Sequence, residues 1–208
     1  MGKIYEELRK RKKMLCHVTE YENIESILKN GLLSLREVHR KGMDVKYLST
    51  EKSRSIDCNC RMDDFVRLAY TPYYDMIPAN IYYEKLENPE AVLYRNPVII
   101  CIHPDILMEK KGIRFSDKNA VASDANIYSN EDDVYSHIDF EKTYEIRNGS
   151  NAGSEEYKNA RQAEVLIPHI IEKKYIKRIV VDEEMDISPL LGYGIDIQQY
   201  PIKKCYNL

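Results

Sequence analysis

The sequence has no tryptophan and only three phenylalanines in 208 residues. It also lacks any apolar run approaching the roughly 20 residues of a membrane-spanning helix, so no membrane partner is expected. An apolar signal segment is missing at the start, and the cysteines (Cys16, Cys58, Cys60, Cys101 and Cys205) are odd in number. Both features point to a reducing, cytoplasmic compartment. Cys58-Asn59-Cys60 has no second pair at zinc spacing, and His103 and His137 stand too loosely to complete a site. No metal is expected, and Cys58 and Cys60 read as free thiols. A large charge imbalance is absent too, the formal net charge being -3. The chain is therefore no generic polyanion binder, and any nucleic-acid contact has to come from a local patch.

What is present in excess is tyrosine, 17 residues. Such rings stack on bases or on a nicotinamide ring, or they reflect the bias of an Ile-, Lys- and Tyr-rich composition. One candidate patch is Arg9-Lys10-Arg11-Lys12-Lys13, at the end of an expected helix over residues 3–13. It is either a phosphate contact or a solvated terminus whose cations face the negative end of the helix dipole.

The length suits one domain over residues 1–208, and there is no internal repeat. Met14–Thr19 reads as a short buried strand. Ile24, Ile27 and Leu28 then follow helical spacing until Asn30-Gly31 supplies a left-handed stop. Residues 36–64 read as a long polar loop or lid with a short strand at Val45–Leu48. Asp64–Tyr70 alternates like a strand, and a helix is expected over Met76–Lys85. Pro97–Ile102 is the clearest central strand. Further strands are expected at Gly112–Asp117, within Tyr175–Asp182, and around Ile195, Ile197 and Ile202. Residues 129–156 are the most polar part, loosest at Asn148–Ser154, where high mobility is expected. Many short strands with a few helices make the class α+β.

The stretch Arg161-Gln162-Ala163-Glu164-Val165-Leu166-Ile167-Pro168 carries the chemistry. Val165–Ile167 is an apolar run closed by proline, a buried strand with a hard stop. Glu164 at its mouth is held by a rigid element yet reaches a cleft. Reactions through a sugar cation use such a carboxylate, because its charge stabilises the developing positive charge and it accepts a proton. The alternative is a rim glutamate, solvated or paired with Arg161.

Four segments in order then converge: His17-x-Thr19 followed by Asn23, Ile27, Leu28 and Gly31; Asp64-Phe65-Val66 with Pro72; Phe115-Ser116-Asp117-x-Asn119-Ala120-Val121-x-Ser123; and Gln162-Ala163-Glu164-Val165-Leu166-Ile167. This order resembles the DarT family, toxins that ADP-ribosylate bases of single-stranded DNA and are countered by a macrodomain antitoxin. The resemblance runs from about Leu15 to Val181.

It implies an ADP-ribosyltransferase-like split β-sheet core with flanking helices around an NAD+ cleft, in a monomer. His17 and Thr19 would line the nicotinamide-ribose pocket, and Asn23 would hold the dinucleotide. Glu164 would be the catalytic glutamate, and the polar stretch before it the substrate-recognition loop. Arg54, with Arg61 as rival, would be the catalytic arginine and a further NAD+ contact. Arg95, Arg161 and Tyr73 would meet the DNA. The family's aromatic-rich run after the Asp-aromatic-Val strand is altered here to Tyr70-Thr71-Pro72-Tyr73-Tyr74-Asp75-Met76-Ile77-Pro78. That leaves thymine and guanine both open as acceptor. RNA or protein acceptors, and a non-catalytic relic, remain as alternatives.

Overall fold

The computed structural model describes residues 2–46, 51–72, 96–146, 148–151 and 153–202, with backbone alone at 51–53. The elements run in chain order as α1 (Lys3–Lys10), β1 (Leu15–Glu20), α2 (Ile24–Asn30), β2 (Leu32–Leu33), α3 (Leu35–Arg40), α4 (Glu51–Asn59), β3 (Phe65–Ala69) and β4 (Pro97–Ile102). After them come α5 (Ile106–Glu109), β5 (Arg114–Ser116), β6 (Ile127–Tyr128), α6 (Glu131–Tyr135), α7 (Phe140–Tyr144), α8 (Glu155–Arg161), β7 (Glu164–Pro168), β8 (Ile170–Ile171), β9 (Ile176–Val181) and β10 (Asp196–Gln199).

Among the described residues, eight strands form one sheet in the order β10-β9-β4-β1-β3-β7-β5-β6, while β2 and β8 pair separately. β4 is buried along its whole length between β9 and β1, as its unbroken apolar run requires. Its six residues pair with all of β1, from Leu15↔Ile102 to Glu20↔Pro97. On the far side, β3 pairs with all of β7, from Phe65↔Pro168 to Ala69↔Glu164. Between these two well-laddered halves, β1 and β3 share the single registered pair Cys16↔Ala69. The sheet is split at that seam, and beyond it the two strands diverge.

The interior is aliphatic. Leu15, Ile24, Leu68, Ile100, Ile102, Val165 and Ile167 lose essentially all exposure. Burying each such side chain contributes on the order of 1.5–3 kcal/mol, which fixes the register of both halves around the seam. α1 closes one end. Its first-turn N–H groups are met by Asp132 and Glu131, with Lys3 N to Oδ1 and Tyr5 N to Oε2 both at 2.9 Å.

Several sequence expectations change. The stretch 36–64 is not a long loop but holds α3, α4 and a 3-10 turn at Met62–Asp64. α3 starts at Ser34, whose side chain accepts from Glu37 N, and buries Val38 alone among its residues. Two apolar positions, Leu35 and Val38, are too few to give a helical period to read. Val45 and Lys46 are irregular, while residues 47 and 48 of the expected strand lie outside the described residues. So do the expected helix at Met76–Lys85 and the side chains of Tyr73 and Arg95. α1 stops at Lys10, because Lys12 turns left-handed at φ 54°. The polar stretch 129–156 carries α6 and α7. Asn151 is 3% exposed, and its amide reaches Glu145 Oε1 and Ile146 O, both at 3.1 Å. Among the described residues, no helix is long and apolar enough to cross a membrane.

Candidate active site

The divergence of β1 from β3 opens a cleft of about 410 Å³. That lies within the roughly 300–1,000 Å³ of small-molecule sites. Four consecutive residues of β1, Cys16 to Thr19, line it, as a strand edge without a neighbour allows. Arg67 and Ala69 of β3 and Glu164 of β7 form the opposite wall. Ile27, Val38, Met43 and Val45 give an apolar cover.

Glu164 is the first residue of β7, paired across both sides with Ala69 and Ser116. It is 3% exposed and its partner is Arg67, which corrects the picture of a rim glutamate solvated or tied to Arg161. Arg67 Nε lies 3.1 Å from Oε1 and 3.0 Å from Oε2, and Nη2 lies 2.8 Å from Oε2. Ala120 N donates to Oε2 at 3.0 Å. Oε2 thus accepts three contacts and Oε1 one. A carboxylate oxygen has two lone pairs, so Oε1 keeps capacity for a ligand hydroxyl.

Arg67 is itself fixed from two further sides. Nη1 reaches Asp57 Oδ1 on α4 at 3.0 Å, and Nη2 reaches Asn119 Oδ1 at 2.6 Å. Asn119 Oδ1 also accepts from Val121 N at 3.2 Å, which shapes the turn that offers Ala120 N to Glu164. Burial pushes the Asp57 carboxyl above its ordinary value, and the nearby Glu164 charge adds to this while Arg67 opposes it. Sequence reading missed Arg67 and Asp57. It held Asn119 and Ala120 within a motif but gave them no role. The signal for Arg67 was an arginine inside an alternating strand, a position that asks for a counter-charge.

His17 bridges the split. Its Nδ1 lies 3.1 Å from the Arg67 carbonyl. A carbonyl only accepts, so Nδ1 carries the proton and Nε2 is the acceptor. Burial lowers the His17 pKa, and the Arg67 charge lowers it further against the carbonyl bond. The ring is therefore neutral at pH 7.

Thr19 and Asn23 form a second group. Asn23 Nδ2 donates to Thr19 Oγ1 at 3.1 Å and to Lys46 O at 2.9 Å, and Asn23 Oδ1 accepts from Lys46 N at 2.8 Å. Both Nδ2 hydrogens and the oxygen are engaged. Asn23 lines the cleft, and its amide clamps the covering segment at Lys46 instead of pointing donors at a dinucleotide. The cover is tied down again by Arg36 of α3, whose Nε and Nη2 take Asp63 at 3.0 and 2.9 Å.

Three further expected residues, Arg54, Arg61 and Arg161, fall outside this wall. Arg54 is half-buried on α4, one turn before Asp57, and Arg61 is exposed at a left-handed φ of 57°. Neither lines the cleft. Arg161 is 1% exposed, with Nη2 on Glu145 O at 3.2 Å and Asn151 Oδ1 at 3.1 Å. A guanidinium buried and bonded in this way holds the α7–α8 corner and has no surface for DNA, which corrects its expected role. Among the described residues there is no cluster of metal-ligating side chains.

Known structures share this architecture. Thermus sp. 2.9 DarT in complex with ADP-ribosylated ssDNA superposes with a TM-score of 0.72 at 14% identity, over 92% of this chain and 95% of that one. The same protein in complex with NAD+ gives 0.65 at 17% identity, over 92% and 96%. Thermosipho africanus DarTG in complex with ADP-ribose gives 0.62 at 20% identity and covers 92% of this chain; the chain spans half the length of that protein. No curated protein matches significantly. The family model described as ssDNA thymidine ADP-ribosyltransferase, DarT, matches residues 16–202, nearly the whole chain, and with the split sheet and its buried glutamate it places this chain in the DarT family.

Proposed function

We propose that this chain moves ADP-ribose from NAD+ to a thymine of single-stranded DNA, with Glu164 as the catalytic carboxylate. The observation that carries the reading is the buried Glu164, aligned by Arg67 and Ala120 N on the wall of the split-sheet cleft.

The bond that breaks joins ribose C1′ to the nicotinamide nitrogen. Nicotinamide leaves neutral with the bonding pair, and C1′ becomes cationic. The preorganised Glu164 charge stabilises that cation through a ribose hydroxyl bound at Oε1. A thymine ring nitrogen then forms the new bond to C1′, and its proton passes to the carboxylate. His17 Nε2 accepts a second sugar hydroxyl, and Thr19 lines the same pocket. Asn23 acts on NAD+ through the cover that it holds. Arg54 is preferred to Arg61 for contact with phosphate or base, because it is half-buried beside Asp57 while Arg61 is exposed. Tyr73 and Arg95 are kept as candidate DNA contacts. The acceptor strand is single because pairing occupies the attacked nitrogen in a duplex, and an unpaired base avoids the unstacking cost.

The family's description names thymidine, which supports thymine over guanine. A cytoplasmic monomer, countered by a macrodomain that removes the mark, completes the proposal; the likeness to DarTG supports that partner. The experiment is incubation of wild-type and Glu164→Gln protein with labelled NAD+ and, separately, single-stranded DNA, duplex DNA, RNA and bulk protein. Label should enter single-stranded DNA alone and fall by about 10²–10³ in the variant, the scale of losing one preorganised group. Near-normal transfer by folded Glu164→Gln protein, or labelling of protein alone, would overturn the reading.

A further inference from the structure

A second cavity, of about 390 Å³, lies back to back with the cleft. Cys16 lines both, and the wall continues from Ala69 on the cleft side to Tyr70, Thr71 and Pro72 on the other. The seam pair Cys16↔Ala69 is thus the ridge between them. No function assigned so far uses this second cavity.

Its chemistry differs from that of the cleft. Lys12, Lys13 and Arg178 are among its described lining residues, and no carboxylate is. That is a local excess of positive charge on a chain of net charge -3. Arg178 is held through Nε by Asp196 at 2.7 Å, one of its five donors. Lys13 Nζ sits 5.2 Å from the Tyr144 ring centre. Lys12 stands at a left-handed φ of 54°, a conformation that a lysine adopts at a cost.

Three tyrosines, Tyr70, Tyr144 and Tyr200, line the same space. The Tyr70 and Tyr144 hydroxyls are buried with no hydrogen-bond partner among the described residues. An orphaned buried hydroxyl costs about 1–3 kcal/mol; the Tyr70 ring packs into the main core against Phe140, while a polar ligand atom beside Tyr144, whose ring stands next to Lys13, would relieve the other. Burial also pushes both phenols up, so they stay neutral donors.

Cations around tyrosine rings beside a base-modifying cleft suit one ligand, a nucleotide unit with its phosphate and planar base. We propose that this cavity holds a nucleotide of the acceptor DNA strand flanking the modified base, with the strand crossing the Cys16–Ala69 ridge. The inference rests on the DNA reading of the cleft. It also absorbs part of the basic run Arg9–Lys13, which the cleft leaves unused.

The test compares wild-type protein with Lys12→Ala/Lys13→Ala, and with Lys173→Ala/Lys174→Ala as a charge-matched control lining neither cavity. Binding of a fluorescent thymidine-containing single-stranded 12-mer is read by anisotropy over a salt series, alongside NAD+ binding and transfer. The first variant should bind the 12-mer about tenfold more weakly, with a log–log salt slope shallower by about 1.4, two phosphate contacts at roughly 0.7 each. Its NAD+ affinity, and its transfer at saturating DNA, should match wild type, and the control should match throughout. Unchanged affinity and slope in the first variant, or an equal loss in the control, would overturn the site. Thymidine 5′-monophosphate binding as tightly as the 12-mer, and weakened by the same variant, would overturn the strand in favour of a free nucleotide. A wild type that binds the 12-mer but transfers nothing would fail the proposed function while the anisotropy comparison still reads the cavity.

Discussion

Arg67 grips Glu164 diagonally across two antiparallel strands, with Nε at 3.0–3.1 Å from both oxygens and Nη2 at 2.8 Å from one. The pair follows from register. Glu164 lies opposite Ala69, so the residue two before Ala69 on the same face is its diagonal neighbour. The glutamate side chain is only 5% exposed, and the arginine is its fixed counter-charge.

Arg67→Ala should therefore cost stability, about 3–5 kcal/mol for a buried carboxylate stripped of its partner. Arg67→Lys keeps the charge but not the planar fork, and should lower transfer by more than tenfold with a smaller stability loss. Denaturant melts and single-turnover transfer check both. An Arg67→Ala protein as stable as wild type would show that the pair holds nothing.

Glu164→Ala is expected to be destabilising as well, by about 1–3 kcal/mol or more, because it leaves Arg67 and Ala120 N without their shared acceptor. Glu164→Gln separates the roles, retaining shape while removing charge. Denaturation curves on the two variants should rank them wild type, Gln, Ala, while both lose transfer. An Ala variant melting with wild type would restore the exposed rim picture.

His17 gives the pH dependence. Its folded pKa lies below the ordinary 6.5 through burial, and the unfolded chain titrates near that ordinary value. As pH falls through 6.5, the unfolded chain takes up the proton first, so this contribution to stability is present above that pH and is lost below it. NAD+ binding should weaken only at lower pH, as the folded His17 itself takes up the proton and Nε2 no longer accepts. Urea melts and NAD+ titrations from pH 8 to pH 5 on wild type and His17→Asn test this; identical profiles would remove His17 as the titrating group.

Asn23→Ala should free the covering segment at Lys46 while leaving Glu164 and Arg67 in place. The expected loss is on the order of 1–2 kcal/mol in NAD+ binding, roughly a tenfold rise in Kd per 1.4 kcal/mol. Calorimetric titration with NAD+ reads it. Unchanged affinity would mean that the cover needs no clamp.

Asn151→Ala removes an acceptor of the buried Arg161. It should destabilise the protein by about 1–3 kcal/mol with transfer per folded molecule retained. Transfer lost at full stability would instead return the Asn148–Ser154 stretch to acceptor recognition.

The legible parts of the sequence were those with local pattern. Val165–Ile167 before Pro168 marked β7, Pro97–Ile102 marked β4, and Glu164 stood out as a carboxylate at a strand mouth. Arg67 was not legible as its partner, since that pairing depends on a register between strands 97 residues apart. α3 and α4 escaped because their polar faces swamp any apolar period. Arg161, three residues before Glu164, was read as a possible partner of it; at the end of α8 it is bonded to Asn151 instead.

The seam at Cys16↔Ala69 has a consequence for where the fold is weakest. Beyond that pair the facing edges of β1 and β3 have no ladder to close, so local opening should be least costly there. A dinucleotide held in the gap, as proposed, would tie the two half-sheets together. Bound substrate then adds RT ln(1 + [L]/Kd) to stability, concentrated at the seam. Amide protons along His17–Thr19 and Arg67–Ala69 become the sensitive reporters of occupancy, slowing in hydrogen exchange when NAD+ is present.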